Sequence, residues 1–141
     1  MIIAIRKEPN GSLYIDKDIF SRTQEVQDEN GNITIQPLFT DETLSKPPYN
    51  YTKVEIDNQY SDCQASDFDE DLTFNLEKYN DRKLKEKNIK LIDDYKRKLT
   101  ETDYKAIKYA EGLISETDYT PIKAERENYR KAINSLEISL K

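Results

Sequence analysis

Toward the end of the chain, apolar residues recur in steps of seven. Ile122, Tyr129 and Leu136 form one series, and Arg126, Ile133 and Leu140 interleave with it. This is the a/d spacing of a helix seam, with a single Arg in it. It is long enough for an intramolecular helical hairpin and too short to demand a coiled coil. Thr120 followed by Pro121 reads as an N-cap and a first helical residue, which predicts a helix over about 121–140. Upstream, Asn75–Leu99 contains no Gly or Pro and is rich in Lys, Glu, Leu and Asp, predicting a long helix over about 75–99. Leu84, Leu91, Tyr95 and Leu99 share a stripe on it, with Ile89 and Ile92 alongside.

Between these segments one phrase occurs twice. Glu101-Thr102-Asp103-Tyr104 leads to Ile107-Lys108, and Glu116-Thr117-Asp118-Tyr119 leads to Ile122-Lys123, matching at six of eight positions. Thr and Asp before an apolar run favour a helix start, because short polar side chains accept from free backbone N–H groups and acids suit the positive end of the dipole. The reading is therefore a further helix over about 103–114, with Gly112 to Thr120 holding a turn. Tyr104, Ile107, Tyr119 and Ile122 are the repeat positions expected to anchor the two helix starts against each other.

The front half follows a different period. Met1–Arg6 is a β-prone run ending at the turn signal Glu8-Pro9-Asn10-Gly11, and Leu13–Ile15 follows as a second short strand. The runs 20–27 and 33–39 flank Asp28-Glu29-Asn30-Gly31-Asn32, which predicts a β-hairpin with Pro37 at an edge or a strand end. Thr40–Asn50, with Pro47-Pro48, reads as a loop, Tyr51–Ile56 as a strand, and Asp57–Asp71 as irregular. The fold class is α+β: a small antiparallel β-rich unit over 1–71, then a helical module over 72–141 made of a long connecting helix and a C-terminal α-hairpin.

Composition narrows the function. Hydrophobic and charged residues each make up 35% of the 141 positions, thin material for one large core, so small satellite cores, an elongated shape or burial in an assembly are expected. Through Asp71 there are six Lys/Arg against fifteen Asp/Glu, a charge of −9; from Leu72 onward the balance is +3. An acidic front half, with alternating signs at helical spacing behind it, argues against nucleic acid. No apolar run approaches membrane-span length and no secretory signal is visible, so a soluble protein made in a cytoplasm is expected. With no His and one Cys, His-based catalysis and a structural zinc site have no donors. The three Gly are dispersed, so no phosphate loop is present, and no cofactor is expected. Cys63 lies in a polar stretch with no His partner and reads as a bystander.

Two features leave alternatives open. Asp67, Asp69 and Asp71 start like a calcium loop, but Leu72 stands where Gly is needed and Lys78 where a bidentate Glu is needed. The other reading is an acidic stretch leading into the positive end of the long helix. Tyr49, Tyr51 and Tyr60 either pack the β unit against the first helix or form a docking surface for another protein.

The segment Leu99–Gly112, continued by Tyr119, Ile122-Lys123, Arg126, Arg130 and Ile133-Asn134, resembles the C-terminal helical module of small tail-fibre- and baseplate-associated proteins of bacteriophages and prophages of Gram-positive bacteria. Asp67–Asn75, leading to Lys78-Tyr79-Asn80, is similar to the middle of such proteins, so the resemblance covers about the second half of the chain. It implies a non-enzymatic structural protein of the virion tail, synthesised in the host bacterial cytoplasm. Its implied partners are other tail, baseplate or fibre proteins or further copies of itself, with neither nucleic acid nor membrane. A transient fibre-assembly chaperone and a host-surface adhesion module are the alternatives. The resemblance carries no catalytic or ligand residues.

Overall fold

A computed structural model describes residues 1–141. The architecture is α+β: a small antiparallel β region followed by one long helix and a second helix. The chain forms two compact units, Met1–Asn80 and Asp81–Lys141.

In the first unit, β1 (Ile2–Lys7) is the centre of a three-stranded sheet. It pairs antiparallel with β2 (Leu13–Asp16) on one side, Ile5 opposite Ile15. On the other side lies β5 (Thr52–Glu55), with Ile3 opposite Val54. Between them in sequence, β3 (Thr23–Gln27) and β4 (Ile33–Pro37) form a separate two-stranded hairpin. Its turn is held by the Asp28 carboxylate, whose Oδ1 accepts from the Asn30 and Asn32 amides at 2.9 and 2.8 Å. The Asn32 bonds hold the Asp28 carboxyl below its ordinary pKa. Gly31 closes the turn at φ +82°, a left-handed conformation that side chains resist.

Because side chains alternate along a strand, β1 serves two cores at once. Ile3 and Ile5 face a cluster with Ile56, Cys63, Phe68 and Tyr79. Ala4 faces the opposite way, among Ile19, Leu44 and Tyr51. All of Ile3, Ala4 and Ile5 are fully buried. Leu44 comes from α1 (Asp41–Ser45), a single helical turn in the segment expected to be a loop. Thr40 caps it by accepting from the Thr43 amide, and Asp41 and Glu42 occupy the favourable first turn.

α2 runs unbroken over Leu76–Ala110, which corrects the expected separate helices at about 75–99 and 103–114. Nothing between Leu99 and Tyr104 breaks a helix, and Thr102 is occupied without capping anything: its hydroxyl donates back to the Lys98 and Leu99 carbonyls, each at 3.0 Å. The first turn of α2 belongs with the first unit because Tyr79 lies in the Ile3/Ile5 core, with Leu72 and Phe74 of the preceding segment packed against it; the expected division at Asp71 falls earlier than this.

α2 ends at a left-handed Gly112, φ +75°, where the Leu113 amide bonds the Lys108 carbonyl at 2.8 Å and the Gly112 amide bonds that of Tyr109 at 3.0 Å. This pair of reversed bonds is the Schellman arrangement. A Cβ on Gly112 would meet no atom within 4 Å, so Gly112→Ala tests backbone strain alone. It is expected to lower stability by about 1 kcal/mol in urea unfolding.

α3 spans Glu116–Ser139 and starts earlier than the expected 121, with Ser115 as the cap accepting from the Asp118 amide at 3.1 Å. Pro121 therefore lies in the second turn. The seven-residue seam is the inner face of α3: Arg126 and Ile133 are buried, and Ile122, Tyr129, Leu136 and Leu140 half-buried. Opposite them on α2 are buried Ile92 and half-buried Leu91, Tyr95 and Leu99. The expected stripe members Leu84 and Ile89 are 56% and 49% exposed.

Candidate functional site

The three tyrosines taken from the sequence as a docking set are divided between the two cores. Tyr51 is buried beside Ala4 and Leu44; Tyr49, half-buried on the same core, packs on Phe39 with ring centroids 5.5 Å apart. Tyr60 belongs to the other core, in an aromatic group with Phe74 at 5.1 Å and Tyr79 at 5.0 Å. Tyr49 and Tyr51 thus share one core, and Tyr60 packs against Tyr79 of α2 in the other.

Arg6, absent from the residues expected to form a site, organises the cleft above this region. Its Nε donates to Glu8 at 2.8 Å and one Nη to the Tyr49 carbonyl at 3.2 Å. The guanidinium lies 5.2 Å from the Tyr14 ring centre and 4.9 Å from that of Tyr51, within cation–π range. The Glu8 bond raises the pKa of Arg6 further, and burial raises that of the Tyr51 hydroxyl. Arg6, Glu8, Pro48 and Tyr49 border a cavity of about 580 Å³. With Glu8, a carbonyl and two rings already on it, the guanidinium works first as a clamp between β1 and the loop at Tyr49. The signal available in the sequence was its place: the first charge after an apolar strand.

The acidic run sends its carboxylates to separate partners. Asp67 is fully buried, and its Oδ2 accepts from the Gln64 amide at 2.8 Å. Asp69 pairs with Lys78 at 2.7 Å and accepts from the Asn75 side chain. Asp71 accepts from the Thr73 amide at 3.1 Å. They are not gathered into a set of metal ligands. Leu72 makes the left-handed turn, φ +69°, for which a glycine was expected to be needed. Bonds from Lys78 and then Asn75 hold the Asp69 carboxyl below its ordinary range. The unfolded chain therefore binds this proton more readily. The contribution of Asp69 is complete above about pH 4 and is lost as pH falls through its depressed folded value. The difference in urea midpoint between the protein and Asp69→Asn should accordingly shrink from pH 6 to pH 3; a constant difference would contradict the assignment.

The repeat anchors also separate. Tyr119 is half-buried and stacks on Tyr109, centroids 4.3 Å apart and planes 14° from parallel, and Ile122 is half-buried in the seam. Tyr104 and Ile107 point outward, 63% and 57% exposed, with Lys108 over the Tyr104 ring at 4.4 Å. The first copy of the phrase lies in mid-helix and the second in a first turn, so equal letters have unequal neighbours. What the first copy supplies is a seat for Arg126, treated below.

The β3–β4 hairpin forms a two-stranded sheet of its own, with both edges open. All of β4 is exposed, with Ile33 at 63% and Ile35 at 72%. No helix of the molecule is long and apolar enough to cross a membrane. Compared with known protein families, curated proteins and solved structures, the chain matches none of them.

Proposed function

We propose that the chain is a non-enzymatic accessory protein of a bacteriophage tail or baseplate, joining larger tail or fibre components. The observation that carries this reading is the β3–β4 hairpin, which presents Ile33 and Ile35 to solvent beside an unpaired strand edge. Edge strands bind by adding a partner's strand, main chain to main chain. Exposed aliphatic residues on such an edge are a liability in an isolated protein and useful in an assembly. Tyr104, Ile107, Leu113 and Ile138, all more than half exposed on the helical unit, supply further apolar contacts. The resemblance of the second half to phage tail proteins is what favours a tail as that assembly.

Quantitative mass spectrometry of purified particles from a producing strain tests the proposal. The expected result is a fixed stoichiometry with known tail proteins. Absence from particles together with abundance in the lysate would overturn a virion role in favour of a transient assembly chaperone.

A further inference from the structure

We infer that β4 is a self-pairing edge: two copies of this chain join antiparallel along β4, about a twofold axis through Thr34. The result is a continuous sheet ordered β3, β4, β4 of the second copy, β3 of the second copy. The inference does not need the tail assignment, but it uses the same open β4 edge and names a second copy as the partner whose strand adds there.

The register of the hairpin settles which backbone groups face outward. The Asp28 amide bonds the Asn32 carbonyl at 2.9 Å and the Leu38 amide bonds that of Arg22 at 2.8 Å. Between these ends Val26 is opposite Thr34 and Gln24 opposite Gln36. Bonded and non-bonded pairs alternate in an antiparallel ladder, so Thr34 and Gln36 turn their backbone groups toward β3. Ile33 and Ile35 turn theirs to the open side. Pro37, also on that side, has no N–H to offer and ends the available ladder.

That open side is a palindrome, Ile33-Thr34-Ile35. In a twofold antiparallel pairing centred on Thr34, Ile33 meets Ile35 of the second copy and Ile35 meets its Ile33. Both pairs are of the hydrogen-bonded type, so each of these four residues gives one N–H and one C=O to the new ladder. Isologous contacts need this reciprocity, in which residue i meets j and j meets i. The isoleucines then lie side by side on one face and the two threonines pair on the other, both favourable cross-strand combinations.

Charge selects this edge over the others. β4 is the only strand without a charged residue. The open edge of β3 is centred on Glu25, which would meet its own copy, while β2 carries Asp16 and β5 carries Lys53 and Glu55. Charges on edge strands oppose self-association, and β4 alone lacks them.

Sedimentation of the full chain from about 1 µM to about 1 mM, the range in which weak contacts dissociate, should show a monomer–dimer equilibrium. Ile35→Lys should weaken it by about tenfold or more, with circular dichroism unchanged because the site is exposed. The register has its own test by cysteine cross-linking. Two Thr34 residues would lie about 4.5 Å apart at Cα, within disulfide reach. Two Gln36 residues on the same face would lie roughly 13 Å apart. Mild oxidation of Thr34→Cys should therefore give a covalent dimer that Gln36→Cys and the parent, with its buried Cys63, do not. A monomer at every concentration overturns the inference, as does equal cross-linking at both positions or none at Thr34→Cys.

Discussion

Arg126→Ala is expected to lower the stability of the helical unit by about 3 kcal/mol, one of the two largest losses expected from any single truncation in the chain. Arg126 is 7% exposed at a seam position that would ordinarily hold an aliphatic residue. One Nη donates to the Leu99 carbonyl at 2.7 Å and to the Thr102 hydroxyl at 2.6 Å, and the other to Asp103 at 2.8 Å. Alanine removes three charge-assisted bonds and the alkyl stem together, and leaves a gap between the helices. Most of the cost should come from packing and the Leu99 and Thr102 acceptors, because the Asp103 side chain is 55% exposed and water can replace its partner. Asp103→Ala should therefore cost less than about 1 kcal/mol. Arg126→Met, which keeps the stem, should recover more than half of the alanine loss. Urea midpoints of the three variants decide the matter. An Asp103→Ala cost equal to that of Arg126→Ala would make the ion pair, and not the filled seam, the source of stability.

Ile5→Ala should cost the first unit a further 3–4 kcal/mol by the same kind of measurement, read through tyrosine fluorescence. Its side chain is fully buried, in a cluster with only five other buried members, so little material is available to collapse into the hole. Typical domains have about 5–15 kcal/mol in all, which makes this a large fraction. Ile2→Ala, three residues away on the same strand but 42% exposed, should cost less than about 1 kcal/mol. Similar losses at the two positions would show that side-chain burial is not what β1 contributes to stability.

The seven-residue seam was legible because a helix repeats its inner face at a fixed interval, and Ile122, Tyr129, Ile133 and Leu136 needed no other information. So were the two Asn-Gly turns, where local geometry limits the residue choice. The duplicated Thr-Asp phrase misled for the complementary reason. Capping chemistry at Thr102 and Asp103 is local, but what occupies these side chains is Arg126, more than twenty residues on. Pro121 favoured a start that Ser115, with its cap bond to Asp118, claims five residues earlier. In the front half the strands could be located by apolar runs, turn signals and, at Ile33–Gln36 and Tyr51–Ile56, alternation, yet none of these names a partner. Nothing in Tyr51–Ile56 says that it returns to β1, or that the hairpin between them remains a sheet of its own. The fate of Tyr49, Tyr51 and Tyr60 depended on that pairing and could not be read before it.

The placement of β1 bears on the order in which the chain acquires structure. Lys7 finds its partner Leu13 across a tight turn, a local search. Ile2 must wait for Glu55, with a hairpin and a short helix intervening. Non-local pairings pay their loop-closure entropy before they return any contact, and they slow folding accordingly. Of the three-stranded sheet, a nascent chain shorter than β5 would hold only the β1–β2 ribbon, with Ile3 lacking the strand it pairs with. Pulse-labelled amide exchange should thus show β1 protected late, together with β5, and after the helical hairpin, whose partners are near neighbours across one turn.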